Sequence, residues 1–213
     1  MKSTVRLKVC GMRDPDNILA VSALRPDYMG FIFYQGSPRF VGDDFRMPNG
    51  FPSFVKRVGV FVNETVDKII GLSVRHNLDM VQLHGSEPVD QCIALRHSGL
   101  KVIKAIGVSN GINSSLLREY EGDVDFFLFD KKGPLFGGHG KSFDWVLLNQ
   151  YQSAVPFFLS GGIDPGNARN VDSVTNQMLH AVDINSGVEM GIGSKSVELI
   201  SRVRNILSRD KEL

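Results

Sequence analysis

The chain has 213 residues, 42% of them hydrophobic and 22% charged, which is the balance of an ordinary folded domain and excludes a disordered or fibrous chain. Lysine and arginine number 24 against 23 aspartates and glutamates, so a formal charge of +1 excludes a long-range pull towards nucleic acid or an anionic membrane. No stretch reaches the roughly 18 apolar residues of a membrane span, and the start MKSTVRLKVCG lacks the apolar run of about 7–15 residues of a signal peptide; a cytoplasmic protein with no membrane partner is expected.

Short runs of β-branched and aromatic residues recur along the chain, over residues 5–10, 28–33, 57–62 and 80–83, then 102–106, 124–129, 156–159 and 181–184. Between most of them lie segments with helical spacing, such as 66–76, 88–97 and 195–207. Runs such as FFLF and VGVFV are apolar throughout, as strands covered on both faces must be, so the eight predicted strands pair in parallel beneath helices. An open doubly wound sheet and a closed barrel both satisfy that rule. Eightfold repetition favours an α/β fold of the (β/α)8 TIM-barrel type, as a single domain over residues 1–213. The length is short for such a barrel, and the Gly-, Pro- and Asp-rich connection over 41–55 is expected to replace a full helix.

In this architecture the loops after the strands build the active site, so the polar residues that end each apolar run are the candidates. Cys10 ends the first run, and Gly11 after it leaves the sulfur uncrowded. A cysteine alone is most often a small buried hydrophobe, but this position favours function, and the reactive form would be the thiolate. Cys92 lies within an apolar helical pattern and reads as core. The two cysteines form no C-x-x-C pair and are expected to be reduced thiols. Asp130 ends the sixth run, where partial desolvation favours a proton-donating carboxyl, with a cap as the alternative. Strand alternation sends Lys131 away from it. A thiol and a carboxylic acid facing each other across a barrel mouth suit proton transfer.

The stretch SGGIDPGNA places Gly161 and Gly162 ahead of an expected helix start, and Ser186 with Gly187 repeats the theme after the eighth run. Free backbone N–H groups there, with a helix dipole, suit a phosphate. Arg39 in SPRF is either a bidentate clamp for a carboxylate or an ordinary surface arginine. His84 after VQL reads as a structural histidine. With no H-x-H, no E-x-x-H and no carboxylate cluster, the chain offers no metal set. Four glycines over residues 133–140 suggest a flexible lid.

The motifs KVCGM, GFIFYQGSPRFV, VGVFVNE, VQLHGSE, FLFDKKG with GGHGKSFDW, FLSGGIDPGNA and DINSGVE stand in the order and spacing of phosphoribosylanthranilate isomerases, and the chain closely resembles that family from Lys8 to about Lys195. The resemblance implies an Amadori rearrangement of N-(5-phosphoribosyl)anthranilate in tryptophan biosynthesis, without cofactor or metal, by a monomer or homodimer. It implies Asp130 as general acid and Cys10 as general base. It also sets Arg39 against the anthranilate carboxylate, Gly161, Gly162, Ser186 and Gly187 around the phosphate, and Asp183 at the ribose. Three departures stand out: Lys131 and His139 where the family has threonine or a similar hydroxyl residue, and Ile192-Gly193-Ser194-Lys195-Ser196 for the family's P-G-x-K-D. A phosphosugar epimerase would need a metal set and a histidine-pathway isomerase two aspartates. A non-catalytic metabolite sensor would be expected to lose one of Cys10 and Asp130.

Overall fold

The computed structural model describes residues 5–131 and 143–208. Eight all-parallel strands close into a barrel in chain order: β1 (Arg6–Cys10), β2 (Tyr28–Ile32), β3 (Lys56–Phe61), β4 (Met80–Leu83), β5 (Lys101–Val108), β6 (Phe126–Lys131), β7 (Phe157–Leu159) and β8 (Leu179–Ile184). Pairing of β8 with β1, with Asp183 opposite Lys8, shuts the ring. All eight runs expected from the sequence are strands, with ends shifted by up to two residues.

The helical coat is uneven. Helices α1 (Pro15–Ser22), α2 (Val66–His76), α3 (Val89–His97), α4 (Ser114–Tyr120) and α5 (Val197–Ser208) cover part of the barrel. The connection from β2 to β3 contains no helix, as its composition suggested, while β6 to β7 and β7 to β8 carry only the 3-10 turns Trp145–Gln150 and Ala168–Ser173 among the described residues. The expected helix after SGGIDPGNA is therefore one of these short turns. Six residues give too few i→i+4 bonds to offset the cost of nucleating an α-helix. By contrast α2 forms over the expected bounds, because Thr65 accepts the Lys68 N–H at its start and Asn77 ends it in the left-handed region at φ 48°.

Alternation along the strands separates two cores. Side chains such as Val9, Phe31, Phe61 and Phe129 face outwards under the helices. Tyr28, Val58, Met80, Ile103, Leu128, Phe158 and Ala181 fill the barrel itself. Further along the same strands the interior turns polar, with Lys8, Gln82 and Asp183 all buried, before the small set Cys10, Ile32 and Val60. No helix of the described residues is long and apolar enough to cross a membrane.

Candidate active site

Cys10 is the last residue of β1 and stands in register with Gly30 of β2. A Cβ on Gly30 would lie 2.6 Å from the Cys10 sulfur, so the space the thiol occupies is the side chain that Gly30 lacks. Burial pushes the thiol above its ordinary value of 9.0; Lys8 and Lys195 pull it back, and the nearby Asp183 carboxylate adds to the rise. Asp130, near the end of β6, borders the same cleft. Lys131 also borders the cleft, and its backbone N–H donates to Asp130 Oδ1 at 2.8 Å. Arg39, Asp183, Gly161, Gly162, Ser186 and Gly187 border this cleft as well, so every candidate residue named from the sequence converges on one place.

The structure adds three interior residues that sequence reading missed or set aside. The Lys8 ammonium, fully buried, donates to Gln82 Oε1 at 2.8 Å and to Asp183 Oδ2 at 2.7 Å. An ammonium only donates, so the carbonyl end of Gln82 must face Lys8 and its NH2 must face His84, whose Nδ1 lies 2.7 Å away. That nitrogen then accepts, which places the imidazole proton on Nε2. Nε2 is 3.5 Å from Asp130 Oδ2. His84, read as structural, is thus part of the cleft and beside the carboxyl. One signal was available: Lys8 and Gln82 are polar residues inside otherwise apolar strands, where an unpaired side chain is costly. Among the described residues Asp183 Oδ1 is buried without a hydrogen-bond partner, while burial raises the Asp183 carboxyl against the pull of Lys8.

At the rim, Arg39 is neither free nor on the surface. It is 8% exposed, and Glu189 accepts from its Nε at 2.8 Å and from NH2 at 2.7 Å. Glu189 Oε1 also accepts from Lys195 Nζ at 2.6 Å and from the Gly193 N–H at 3.0 Å. Glu189 and Lys195 face each other across a two-stranded hairpin, β9 (Glu189–Gly191) and β10 (Ser194–Lys195). Asn17 of α1 ties that hairpin down by exchanging two hydrogen bonds with the Lys195 backbone, at 2.8 and 2.9 Å. The two cations hold the Glu189 carboxyl down at about 2 against the opposing effect of burial. The departure from P-G-x-K-D is absorbed locally: Ser196 accepts the Leu199 N–H at 3.2 Å and so caps α5, as an aspartate would.

The glycine loops meet on the other side of the cleft. Gly161 and Gly162 adopt φ of +104° and +73°, which other residues rarely tolerate, and among the described residues no acceptor takes their N–H groups. Gly187 abuts the Ile163 carbonyl so closely that a Cβ there would collide with it. The turn that follows is a short 3-10 turn that begins only at Ala168, and not directly after the glycines. The expected lid over 133–140, with His139, lies outside the described residues. Among the described residues no group of three or more His, Cys, Asp or Glu is placed to hold a metal ion.

Known proteins place this arrangement. The family described as N-(5′-phosphoribosyl)anthranilate (PRA) isomerase matches residues 7–205. An N-(5′-phosphoribosyl)anthranilate isomerase of Parabacteroides distasonis is 40% identical over 195 residues, covering 90% of this chain and 88% of its own. The crystal structure of the Thermotoga maritima phosphoribosyl anthranilate isomerase superposes with a TM-score of 0.82 at 36% identity, covering 95% of this chain and 98% of that one. A further phosphoribosyl anthranilate isomerase, solved in complex with reduced 1-(o-carboxyphenylamino)-1-deoxyribulose 5-phosphate, gives a TM-score of 0.76 at 32% identity over 95% and 98% of the two chains. With a barrel of the same closure and a cleft built from its motifs, this chain belongs to the phosphoribosylanthranilate isomerase family.

Proposed function

We propose that the cleft performs the family's reaction, the Amadori rearrangement of N-(5′-phosphoribosyl)anthranilate to 1-(2-carboxyphenylamino)-1-deoxyribulose 5-phosphate, with Asp130 as acid and Cys10 as base. The observation that carries the assignment of roles is the convergence of a thiol from β1 and a carboxyl from β6 on one cleft bordered by two glycine loops. Asp130 gives its proton to the furanose ring oxygen; the C1′–O bond breaks, and the anilino nitrogen lone pair forms the C1′=N iminium. Cys10, as thiolate, takes the C2′ proton. The C–H electron pair becomes the C1′=C2′ bond and the iminium electrons return to nitrogen, giving an enolamine that tautomerises to the ketone.

The surroundings serve those two transfers. Lys8 and Lys195 supply positive charge to a thiol that burial disfavours as an anion. His84, held with its proton on Nε2 by Gln82, faces the carboxylate that Asp130 becomes once it has released its proton. The unpartnered Oδ1 of Asp183 accepts a ribose hydroxyl, and the N–H groups at Gly161, Gly162, Ser186 and Gly187 receive the phosphate. Arg39 receives the anthranilate carboxylate.

The test is loss of anthranilate fluorescence on mixing the protein with freshly made phosphoribosylanthranilate, with a chelator present. Turnover is expected in the wild type and a fall of about 10²–10⁴-fold in Cys10→Ala and in Asp130→Asn. Variants that keep full activity would overturn the roles given to the two residues. Absence of turnover in the wild type, with tight phosphate-dependent binding, would overturn the reaction itself in favour of a sensor.

A further inference from the structure

Arg39 borders the cleft, but Glu189 does not: the carboxylate lies behind the guanidinium, on β9. The donors around it can be counted. Of the five N–H groups of a guanidinium, Glu189 takes the one on Nε and one on NH2. Among the described residues nothing accepts from the two on NH1 or from the second on NH2. One hydrogen of NH1 and the remaining one of NH2 form the end-on edge, which suits a second carboxylate in bidentate geometry. The ammonium of Lys195 is different, because it bonds to Glu189 Oε1, Asn185 Oδ1 and the Asn185 carbonyl at 2.6, 2.5 and 3.1 Å. All three of its hydrogens are spent.

Glu189 therefore divides the labour between two cations. It leaves the net charge of the trio positive, fixes one edge of Arg39, and keeps Lys195 from offering a competing, less directional contact. The stem of Arg39 is held as well, since its Cδ lies 2.8 Å from where a Cβ on Gly11 would stand, and only glycine at position 11 leaves room for it. We infer that Glu189 is a positioning residue that aims the free edge of Arg39 at the carboxylate of the substrate's aromatic ring, and so sets the preference for a carboxylate-bearing substrate. The inference rests on the role given to Arg39 above. It assigns to Glu189 no contact with substrate.

The experiment compares two substrates, phosphoribosylanthranilate and N-phosphoribosylaniline, which lacks the ring carboxylate, in the wild type, Glu189→Gln and Glu189→Asp. Each is followed by steady-state kinetics, with thermal melts to show that the variants are folded. The wild type is expected to prefer the anthranilate substrate in kcat/KM. Glu189→Gln keeps the shape but not the charge, and is expected to lower that preference about tenfold or more, chiefly through KM for the anthranilate substrate. Its kcat/KM for the aniline substrate should change by less than about threefold. Glu189→Asp, which keeps the charge on a shorter arm, should retain an intermediate preference. A Glu189→Gln variant that loses activity equally on both substrates, or on neither, would overturn the inference while leaving the role of Arg39 intact. A wild type that does not distinguish the two substrates would overturn the role of Arg39 and the inference with it.

Discussion

Among the described residues three carboxylates, Asp183, Glu189 and Glu87, each share a salt bridge with a buried lysine, and the first two diverge in their chemistry. Asp183, inside the barrel, meets Lys8 at 2.7 Å and keeps one oxygen unpartnered among the described residues; its carboxyl is pushed up. Glu189, at the rim, meets Lys195 at 2.6 Å, but it also has Arg39 and the Gly193 N–H, and its carboxyl is held at about 2. A lysine alone does not settle a buried carboxylate. The depth of burial and the number of donors that replace lost water do. Among the described residues the interior pair is left short by one donor, whereas each oxygen of the rim carboxylate is met.

The largest effect should come from breaking the interior pair. Lys8→Met leaves Asp183 buried without its cation, and a loss of about 3–5 kcal/mol in urea unfolding at neutral pH is expected. A loss below about 1 kcal/mol would mean that Asp183 is carried by its other neighbours, and the contrast with the rim would fail. A second effect is on pH dependence. Because the folded value of Glu189 lies below the ordinary 4.5, at about 2, its contribution to stability is fully present above pH 4.5 and is lost as the pH falls to about 2. The urea midpoint of the wild type should therefore fall more steeply with acid than that of Glu189→Gln; equal slopes over that window would remove the rim carboxylate from the account. The smallest effect is expected from Asn17→Ala, which frees the hairpin under Lys195 at a cost of about 1–2 kcal/mol. It should leave the interior network untouched, so a matching loss when combined with Lys8→Met would be additive, and a smaller one would show that the two networks are coupled.

The same contrast explains what could be read from the sequence. The eight strands were legible because each is a short, predominantly apolar run, and α2 because its period and both caps are local. Cys10, Asp130 and the glycine loops were legible because they sit where apolar runs stop. The missed residues belong to long-range pairs: Lys8 with Asp183 and Arg39 with Glu189 are 175 and 150 residues apart in the chain. No local pattern encodes such a partner. Lys8 and Gln82 announced only that something polar was buried. His84 looked structural because its relation to Asp130 depends on how β4 and β6 stand around the closed ring. The uneven coat was half legible, since the β2–β3 connection showed its breakers, while the turn after β7 looked like a helix start and is too short to be one.

Gly187 carries a last consequence. Because it is pressed against the Ile163 carbonyl, the loop after β8 rests directly on the loop after β7, with no side chain between them. Any side chain at position 187 would wedge the two loops apart. A substitution at position 187 would therefore disturb the ends of both strands at once.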